Sequence, residues 1–352
     1  MINKINKVLK HLVFLKGRPL LIIRIMKGYF NTLILRKPTL RSVELAITYR
    51  CNAKCEMCYS RNLNNKNKSE MSVDKIRELW KDCMKLGAIH VNITGGEPML
   101  RKDVYDIIKA LSPDRNIISL VTNASLIDEN AIKNLKHAGL STIQISIDDI
   151  DPKKHDKLRG IPNLYKKIIK SVKLAKKYGL VVCLSIVISH ENIKSKTVSK
   201  LIKLAEDLDT FLLLNLVANA GGFRKKENIL FNEEDNQFLQ KLLQHPLTRQ
   251  DTMFNFRLKP GCPAGTEKIY ISSYGDVMPC DTTHVSFGNI FEEPLENIWK
   301  KMYNFSFYKM RSKLCLRHTN KEYINEFIKP TCNFECMPIT IKDHPNKRFR
   351  NC

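Results

Sequence analysis

Three cysteines within eight residues carry the sharpest chemical signal in this chain: Cys51-Asn-Ala-Lys-Cys55-Glu-Met-Cys58. Thiolates at this spacing can wrap three corners of a [4Fe–4S] cube. The fourth iron is then left without a protein ligand, and an open coordination position is where a substrate or cofactor binds. A structural zinc site wants a fourth ligand close by, and C-x3-C-x2-C is not a common zinc spacing. The 352-residue chain holds eleven cysteines in all, an odd number. Its first residues make a poor secretory signal, so a reducing, cytoplasmic setting is expected. Metal or redox chemistry therefore outranks a disulfide framework.

Charge gives the second signal. Against 35 Asp and Glu stand 59 Lys and Arg, a formal net charge of +24. Such an excess favours anionic partners, whether phosphorylated substrates, nucleic acid or lipid headgroups; its plainest form is lysine spread over solvated helix faces. Much of it is local: ten Lys and Arg fall within residues 1–41, and the first acid is Glu44. Apolar runs at Leu12–Leu15, Leu20–Ile23 and Leu33–Leu35 are each interrupted by basic residues. No run of roughly 20 apolar residues exists, so a spanning helix is excluded. Residues 1–41 thus form a basic amphipathic segment, either lying peripherally on the anionic inner face of a membrane or packed on the main domain. No aromatic stacking run accompanies the charge, which ranks a nucleic-acid partner low.

The elements that must position the cysteines follow from residue 42 onward. Val43, Leu45 and Ile47 alternate as a strand should, and further strands are expected near 89–94, 117–122, 142–147, 180–188 and 211–217. Between them lie amphipathic helices, one capped by Ser72 with Ile76, Leu79, Trp80 and Cys83 on its apolar face, another capped by Asp128 and stopped at Gly139. The stretch after the fourth strand reads as a loop leading to a helix near 166–178. Six βα units call for a parallel α/β fold, a partial (β/α)6 TIM-like barrel over residues 42–250. Polar motifs fall just past the C-terminal ends of strands, where such folds place their chemistry. From 251 to 352 the pattern changes to turns, short strands and six of the eleven cysteines, a smaller cysteine-rich module.

The cysteine loop after a first strand resembles the signature of the radical S-adenosylmethionine (SAM) superfamily, and the resemblance extends over most of residues 42–345. Thr94-Gly95-Gly96-Glu97-Pro98 follows the second strand and matches the family's GGEP motif. By that resemblance its backbone holds the SAM amino group, and glycines suit a chain that must approach a ligand closely. Thr122-Asn123 resembles the family's TNG segment, with Ala124 where glycine is usual. Ser146-Ile147-Asp148, His155-Asp156 and Arg159-Gly160 resemble the S-x-D…HD…RG stretch of peptide-modifying and related branches. The resemblance implies that Ser146 and Arg159 contact the SAM carboxylate and that Asp148 or Asn123 approaches the ribose. Ordinary loop capping by Ser and Asp is the competing reading. The implied chemistry is reductive cleavage of SAM at the cluster to a 5′-deoxyadenosyl radical, fed by a low-potential donor of flavodoxin or ferredoxin type. That radical takes hydrogen from a substrate, for oxidation or C–H modification.

The tail is similar in order to SPASM and twitch domains, which hold auxiliary clusters. That similarity implies that Cys262 and Cys280 flank a β-hairpin and supply two ligands, with Cys332 and Cys336 supplying two more. The chain lacks the C-x2-C and C-x5-C spacings of a full SPASM pattern, and six cysteines cannot supply eight ligands. One auxiliary [4Fe–4S] cluster is therefore expected, with Cys315 and Cys352 left over and able to substitute as ligands; a zinc site from the same four cysteines is the alternative. Cys83 and Cys183 read as small core residues. The substrate is left open between peptide or protein maturation and a sugar, nucleotide-linked or lipid small molecule. A rival of another class is a non-catalytic iron–sulfur electron carrier, which would have no use for the GGEP loop.

Overall fold

The computed structural model describes residue 15 and residues 17–226, 228–250 and 255–350. The Leu12–Phe14 run and Cys352 lie outside the described residues. Helix α1 (Pro19–Tyr29) opens on a proline and runs into a wider-pitched turn, Phe30–Ile34.

Strand and helix then alternate as the periodicity predicts: β1 (Ser42–Thr48), α2 (Val73–Lys85), β2 (His90–Gly95), α3 (Val104–Ala110), β3 (Ile117–Thr122), α4 (Glu129–Ala138) and β4 (Thr142–Ser146). Ser72 accepts from the Lys75 amide and Asp128 from the Ala131 amide, so both expected caps form. Next come α5 (Pro152–Arg159), α6 (Leu164–Lys177), β5 (Val181–Ile188), α7 (Lys196–Asp207) and β6 (Phe211–Leu216). Helix α5 corrects the loop expected there. Its sequence PKKHDKLR has no apolar face for periodicity to reveal, yet Asp151 caps the Lys153 and Lys154 amides and Pro152 sits in the first turn. Two further elements are not evident from periodicity, α8 (Glu233–Leu242) and the two-residue β7 (Thr248–Arg249).

The strands form one sheet in the order β7-β6-β5-β4-β3-β2-β1-β8-β9, where β8 is Lys268–Ile271 and β9 is Val277–Met278. Every neighbouring pair is parallel except the β8–β9 hairpin. Six βα units thus become the expected partial barrel. The cysteine-rich tail begins by extending that same sheet, with Val43 opposite Ile269 and Leu45 opposite Ile271. Beyond the hairpin, β10 (Val285–Ser286) pairs in parallel with β11 (Ile339–Thr340), and α9 (Leu295–Asn304), α10 (Ser306–Lys309) and α11 (Leu316–Thr319) pack nearby.

A continuous apolar core runs from β1 and α2 through β2–β6 into the tail. Trp80, on α2, and Trp299, in the tail, are both buried. The tail's share is aromatic: Phe287, Phe305, Phe307, Tyr308 and Phe327 meet edge-on or tilted at 5–6 Å centroid distances. Such contacts add to area burial and give a short-stranded region a defined core.

Candidate functional site

Strand β1 delivers the chain to the mouth of the barrel at Thr48, and the cysteine loop follows at once. Cys51 is exposed, Cys58 half-buried and Cys55 buried. Each sulfur has one polar neighbour. The Ala53 amide donates to Cys51 Sγ (3.4 Å), Ser60 Oγ lies 3.3 Å from Cys58 Sγ, and Arg159 Nη1 lies 3.6 Å from Cys55 Sγ. Burial pushes the Cys51 thiol up to about 11, against the Ala53 amide; Cys55 is raised by burial too, while Arg159 pulls it the other way. Without metal these two thiols hold their protons, so loading a cluster must release them.

Neighbouring backbone clamps the loop. The Gly96 amide donates to Thr48 O (2.8 Å), Glu97 N to Arg50 O (2.8 Å), Gly222 N to Cys58 O (2.9 Å) and Lys54 N to Arg159 O (3.0 Å). Arg61 adds a side-chain bond to Cys55 O (2.6 Å). A Cβ at Gly96 would stand 2.2 Å from Arg50 O, and one at Gly222 would stand 1.8 Å from Glu56 O. Only residues without side chains let the chain come this close. The Gly221–Gly222 pair carries no signal in the sequence, since it follows β6, far from any cysteine in the chain. Three thiols on one short loop, cradled between two glycine pairs, fit a cluster held at three corners. Among the described residues no three His, Cys, Asp or Glu side chains converge tightly enough for a single metal ion; a cube takes one thiolate per iron and needs no such convergence.

The other motif residues surround this loop. Glu97 is fully buried and its carboxylate accepts from Met99 N (3.1 Å), Thr122 Oγ1 (2.8 Å) and Asn123 N (2.8 Å). Burial raises its pKa and these three donors oppose the rise. Its side chain is thereby committed to joining the ends of β2 and β3, which leaves the Gly95–Gly96 backbone as what the motif can offer a ligand. Asn123 donates to Asn52 Oδ1 (3.0 Å), tying β3 to the cysteine loop. Ser146 ends β4, opposite Ser185 of β5. Pro98 starts a short 3₁₀ turn and is buried.

Arg159, the last residue of α5, makes a two-point pair with Asp148: Nε to Oδ2 at 2.5 Å and Nη2 to Oδ1 at 3.0 Å. Both side chains are largely buried. Burial works against the guanidinium charge, but Asp148 and Cys55 outweigh it and its pKa is raised. Two of its nitrogens are spoken for, and the third faces the cluster loop. His155 Nδ1 accepts from the Asp148 amide (3.1 Å), which fixes the turn carrying that carboxylate.

In the tail, the structure brings together Cys262, Cys280 and Cys315. The thiols of Cys262 and Cys315 share a hydrogen bond, which holds Cys262 below the ordinary thiol range and Cys315 well above it. Cys280 Sγ lies 3.3 Å from Thr283 Oγ1 and 3.4 Å from Thr282 Oγ1. Cys315, which the sequence leaves over as a substitute ligand, is thus a direct neighbour of Cys262. Cys332 instead faces the carbonyls of Ile328 (3.6 Å) and Asn219 (3.9 Å), and Cys336 is exposed. Buried Arg317 donates to Thr282 O and Asn219 O, both at 2.7 Å. Cys83 and Cys183 are held protonated by burial, as core residues should be.

Tyrosines fill the ground between the two cysteine sites. Tyr59 follows Cys58 and meets Tyr270 edge-on at 6.3 Å, and Tyr49 and Tyr270 hydroxyls lie 2.9 Å apart. On the tail side, Tyr308, Tyr323 and Thr283 form a hydroxyl chain with spacings of 3.0 and 2.9 Å that ends beside Cys280.

With the geometry in place, known proteins can be set beside it. Residues 45–203 match the family model described as the radical SAM superfamily, and residues 262–336 match an iron–sulfur cluster-binding domain, SPASM. An AdoMet-dependent heme synthase of Methanosarcina barkeri is 22% identical over 288 residues, covering 74% of this chain and 82% of the relative. A probable GTP 3′,8-cyclase of Methanococcus maripaludis is 35% identical over 142 residues, 40% of this chain and 47% of that one. Among solved structures, SuiB of Streptococcus suis bound to precursor peptide SuiA superposes with a TM-score of 0.62 at 17% identity, covering 80% of this chain and 69% of that one. Native anSMEcpe with bound AdoMet superposes at 0.57 and 20% identity, covering 77% and 83%. At those identities the structures bear on the fold alone.

Proposed function

The chain belongs to the radical SAM superfamily and carries a SPASM iron–sulfur domain at its C-terminal side, and from that premise we propose that it oxidises an anionic substrate by two electrons, starting with removal of a hydrogen atom. It is an enzyme, and the electron-carrier alternative falls with that. When bound, a [4Fe–4S] cluster with one open iron supplies the electron that splits the SAM sulfonium and so provides the 5′-deoxyadenosyl radical that takes hydrogen from substrate.

The remaining roles belong to the chain. Cys51, Cys55 and Cys58 would hold the three closed corners. The Gly95–Gly96 backbone, Asn123 and Ser146 line the side of the barrel mouth where SAM's amino, carboxylate and ribose groups would lie. Pro98 and Glu97 lock that wall in place. The Asp148–Arg159 pair presents one guanidinium nitrogen toward Cys55, where positive charge steadies thiolate. For the auxiliary cluster we assign Cys262, Cys280 and Cys315, with the Cys332–Cys336 segment supplying the fourth ligand. Substrate that has lost a hydrogen atom becomes a two-electron-oxidised product on losing one more electron and a proton; an auxiliary cluster held by these cysteines would supply the electron acceptor, and the proton would pass to solvent. A low-potential flavodoxin- or ferredoxin-type donor in a reducing cytoplasm would serve the first step.

The observation that carries this reading is the three-thiol loop pinned between two glycine pairs at the barrel mouth. Exposed Lys54 and Arg61 around the loop favour an anionic substrate, while Arg50 is already paired with Glu70. A peptide is the second reading, favoured by the fold shared with SuiB, whose structure holds a precursor peptide. Anaerobic reconstitution followed by SAM and a strong reductant tests the core claim: wild type should form 5′-deoxyadenosine and Cys55→Ala should not. Failure of both to form it sinks the proposal. Turnover above that background with nucleotide-linked sugars but not with peptides would support the first substrate reading, and the reverse the second.

A further inference from the structure

Helix α1 is built inside out. In a helix that packs on a soluble domain, apolar residues face the core and cations face water. Here Leu21 and Gly28 are buried against Phe256, Ile89 and Ile117, but Arg24 and the N-cap residue Arg18 also turn inward, while Lys27 stays outside. Arg18 Nη1 donates to Ser141 Oγ (2.9 Å), and Arg24 donates to Ala88 O. The outer face is left apolar: Ile23 is 61% exposed, Met26 64% and Ile34 66%, with Leu20, Phe30 and Leu33 beside them. Eight of the fifteen large apolar side chains exposed among the described residues fall between Leu20 and Leu35. That clustering separates the patch from the scattered apolar groups any surface carries.

We propose that this face is a docking surface for an anionic lipid bilayer. Charge decides the occupant. Lys27, Arg36 and Lys37 are exposed at the border of the apolar stripe, and no Asp or Glu occurs before Glu44. Asp114, whose field reaches Arg18 and Arg24, is itself paired with Arg115. An apolar stripe rimmed by cations matches acyl chains below anionic headgroups. A second copy of the chain would bring the same positive rim against itself, a like-charge penalty for a self-complementary dimer.

The position of the face has a consequence for substrate delivery. The anchors on the sheet (Ala88, Ile89, Asn116, Ile117, Ser141) lie at or just before the start of β2, β3 or β4, and Phe256 bonds to Glu267, just before the start of β8. The cysteine loop lies past the other ends of the strands, about 20 Å away at roughly 3.3 Å per residue. Docked by its base, the protein turns its barrel mouth to the water. Substrate then arrives from the aqueous side or on a tether, and is not drawn out of the acyl layer. This inference is independent of the radical chemistry, because vesicle binding needs neither cluster nor SAM.

The full chain is tested by co-sedimentation with phosphatidylcholine vesicles, with or without roughly 30% phosphatidylglycerol. Wild type should bind the anionic vesicles and be weakened by added salt. Ile23→Glu with Ile34→Glu should lose roughly tenfold or more in affinity, as should Lys27→Glu with Arg36→Glu and Lys37→Glu. Leu126→Glu, exposed at the mouth, should bind as wild type does. No binding to anionic vesicles overturns the proposal, as does binding that neither set of substitutions weakens. A dimer by sedimentation velocity that becomes monomeric with Ile23→Glu and Ile34→Glu, without vesicle binding, assigns the face to a second copy instead. Unchanged thermal melts confirm that these surface variants fold.

Discussion

The two cysteine sites are built on opposite principles. At the barrel mouth, three thiols sit on one loop of eight residues, so the chain itself sets their spacing. In the tail, Cys262, Cys280 and Cys315 come from three separate segments, before the β8–β9 hairpin, after it, and at the start of α11. Their proximity depends on the whole aromatic core between them. The first site needs only its loop clamped, by Gly95–Gly96 on one side and Gly221–Gly222 on the other. The second needs the tail folded. A site on one loop can therefore survive damage that erases a site assembled across a domain.

The sharpest way to press that contrast is to remove one thiol from each. Cys55→Ala should lose about four irons per chain and all 5′-deoxyadenosine formation. Cys315→Ala should lose a similar amount of iron yet still cleave SAM, with product formation gone. If Cys315→Ala keeps its full iron and Cys336→Ala does not, the tail assignment made above is wrong. Next in size is the ion pair at the first site. Asp148→Asn leaves Arg159 buried without a counter-charge and should destabilise the fold by about 3 kcal/mol in thermal or denaturant melts. A change within error would mean that the pair contributes nothing to the barrel mouth.

Acid should separate the two regions in the other direction. Burial holds His284 and His318, which flank the tail site, down to about 4. The unfolded chain binds these protons near 6.5 and the folded one does not, so stability is complete above about 6.5 and falls as pH drops toward 4. At about 1.4 kcal/mol for each pH unit between 6.5 and about 4, the two groups together should cost several kcal/mol by pH 4. Fluorescence of Trp299 in a Trp80→Phe background follows the tail through that range, and a flat signal would refute the sensitivity. Smallest is a tuning effect. Arg317 is buried, bonded to two carbonyls, and close enough to Cys332 to oppose the rise that burial gives that thiol. Arg317→Gln removes positive charge beside the auxiliary site and should shift that cluster's midpoint potential to more negative values, while Arg317→Lys should largely restore it. Equal potentials in all three proteins would confine Arg317 to bracing the hairpin.

The same contrast divides what the sequence makes legible from what only folding brings together. Local patterns are legible: the alternation of β1, the Ser72 and Asp128 caps, the cysteine loop, and the GGEP residues at the end of β2. Helix α5 is not, because a polar eight-residue helix shows no apolar period, and its capping pair Asp151-Pro152 is the signal it offers. The role of Cys315 is not, because its neighbour Cys262 lies more than fifty residues earlier and only the fold joins them. The Gly221–Gly222 clamp is equally non-local. Glu97 is the instructive middle case: its motif marks the site, while its carboxylate serves the protein's own framework by holding β3 to β2. The outward apolar face of α1 is half legible, since the sequence shows the mixture of cations and apolar residues and only packing shows which kind turns outward.

The claim beneath all of this is that three thiolates leave one iron open for SAM. Electron paramagnetic resonance of the reduced, reconstituted protein carrying Cys262→Ala, Cys280→Ala and Cys315→Ala isolates the barrel-mouth cluster. The account predicts a [4Fe–4S] signal whose shape changes when SAM is added, because the open iron gains ligands. A signal that SAM leaves unaltered would contradict it.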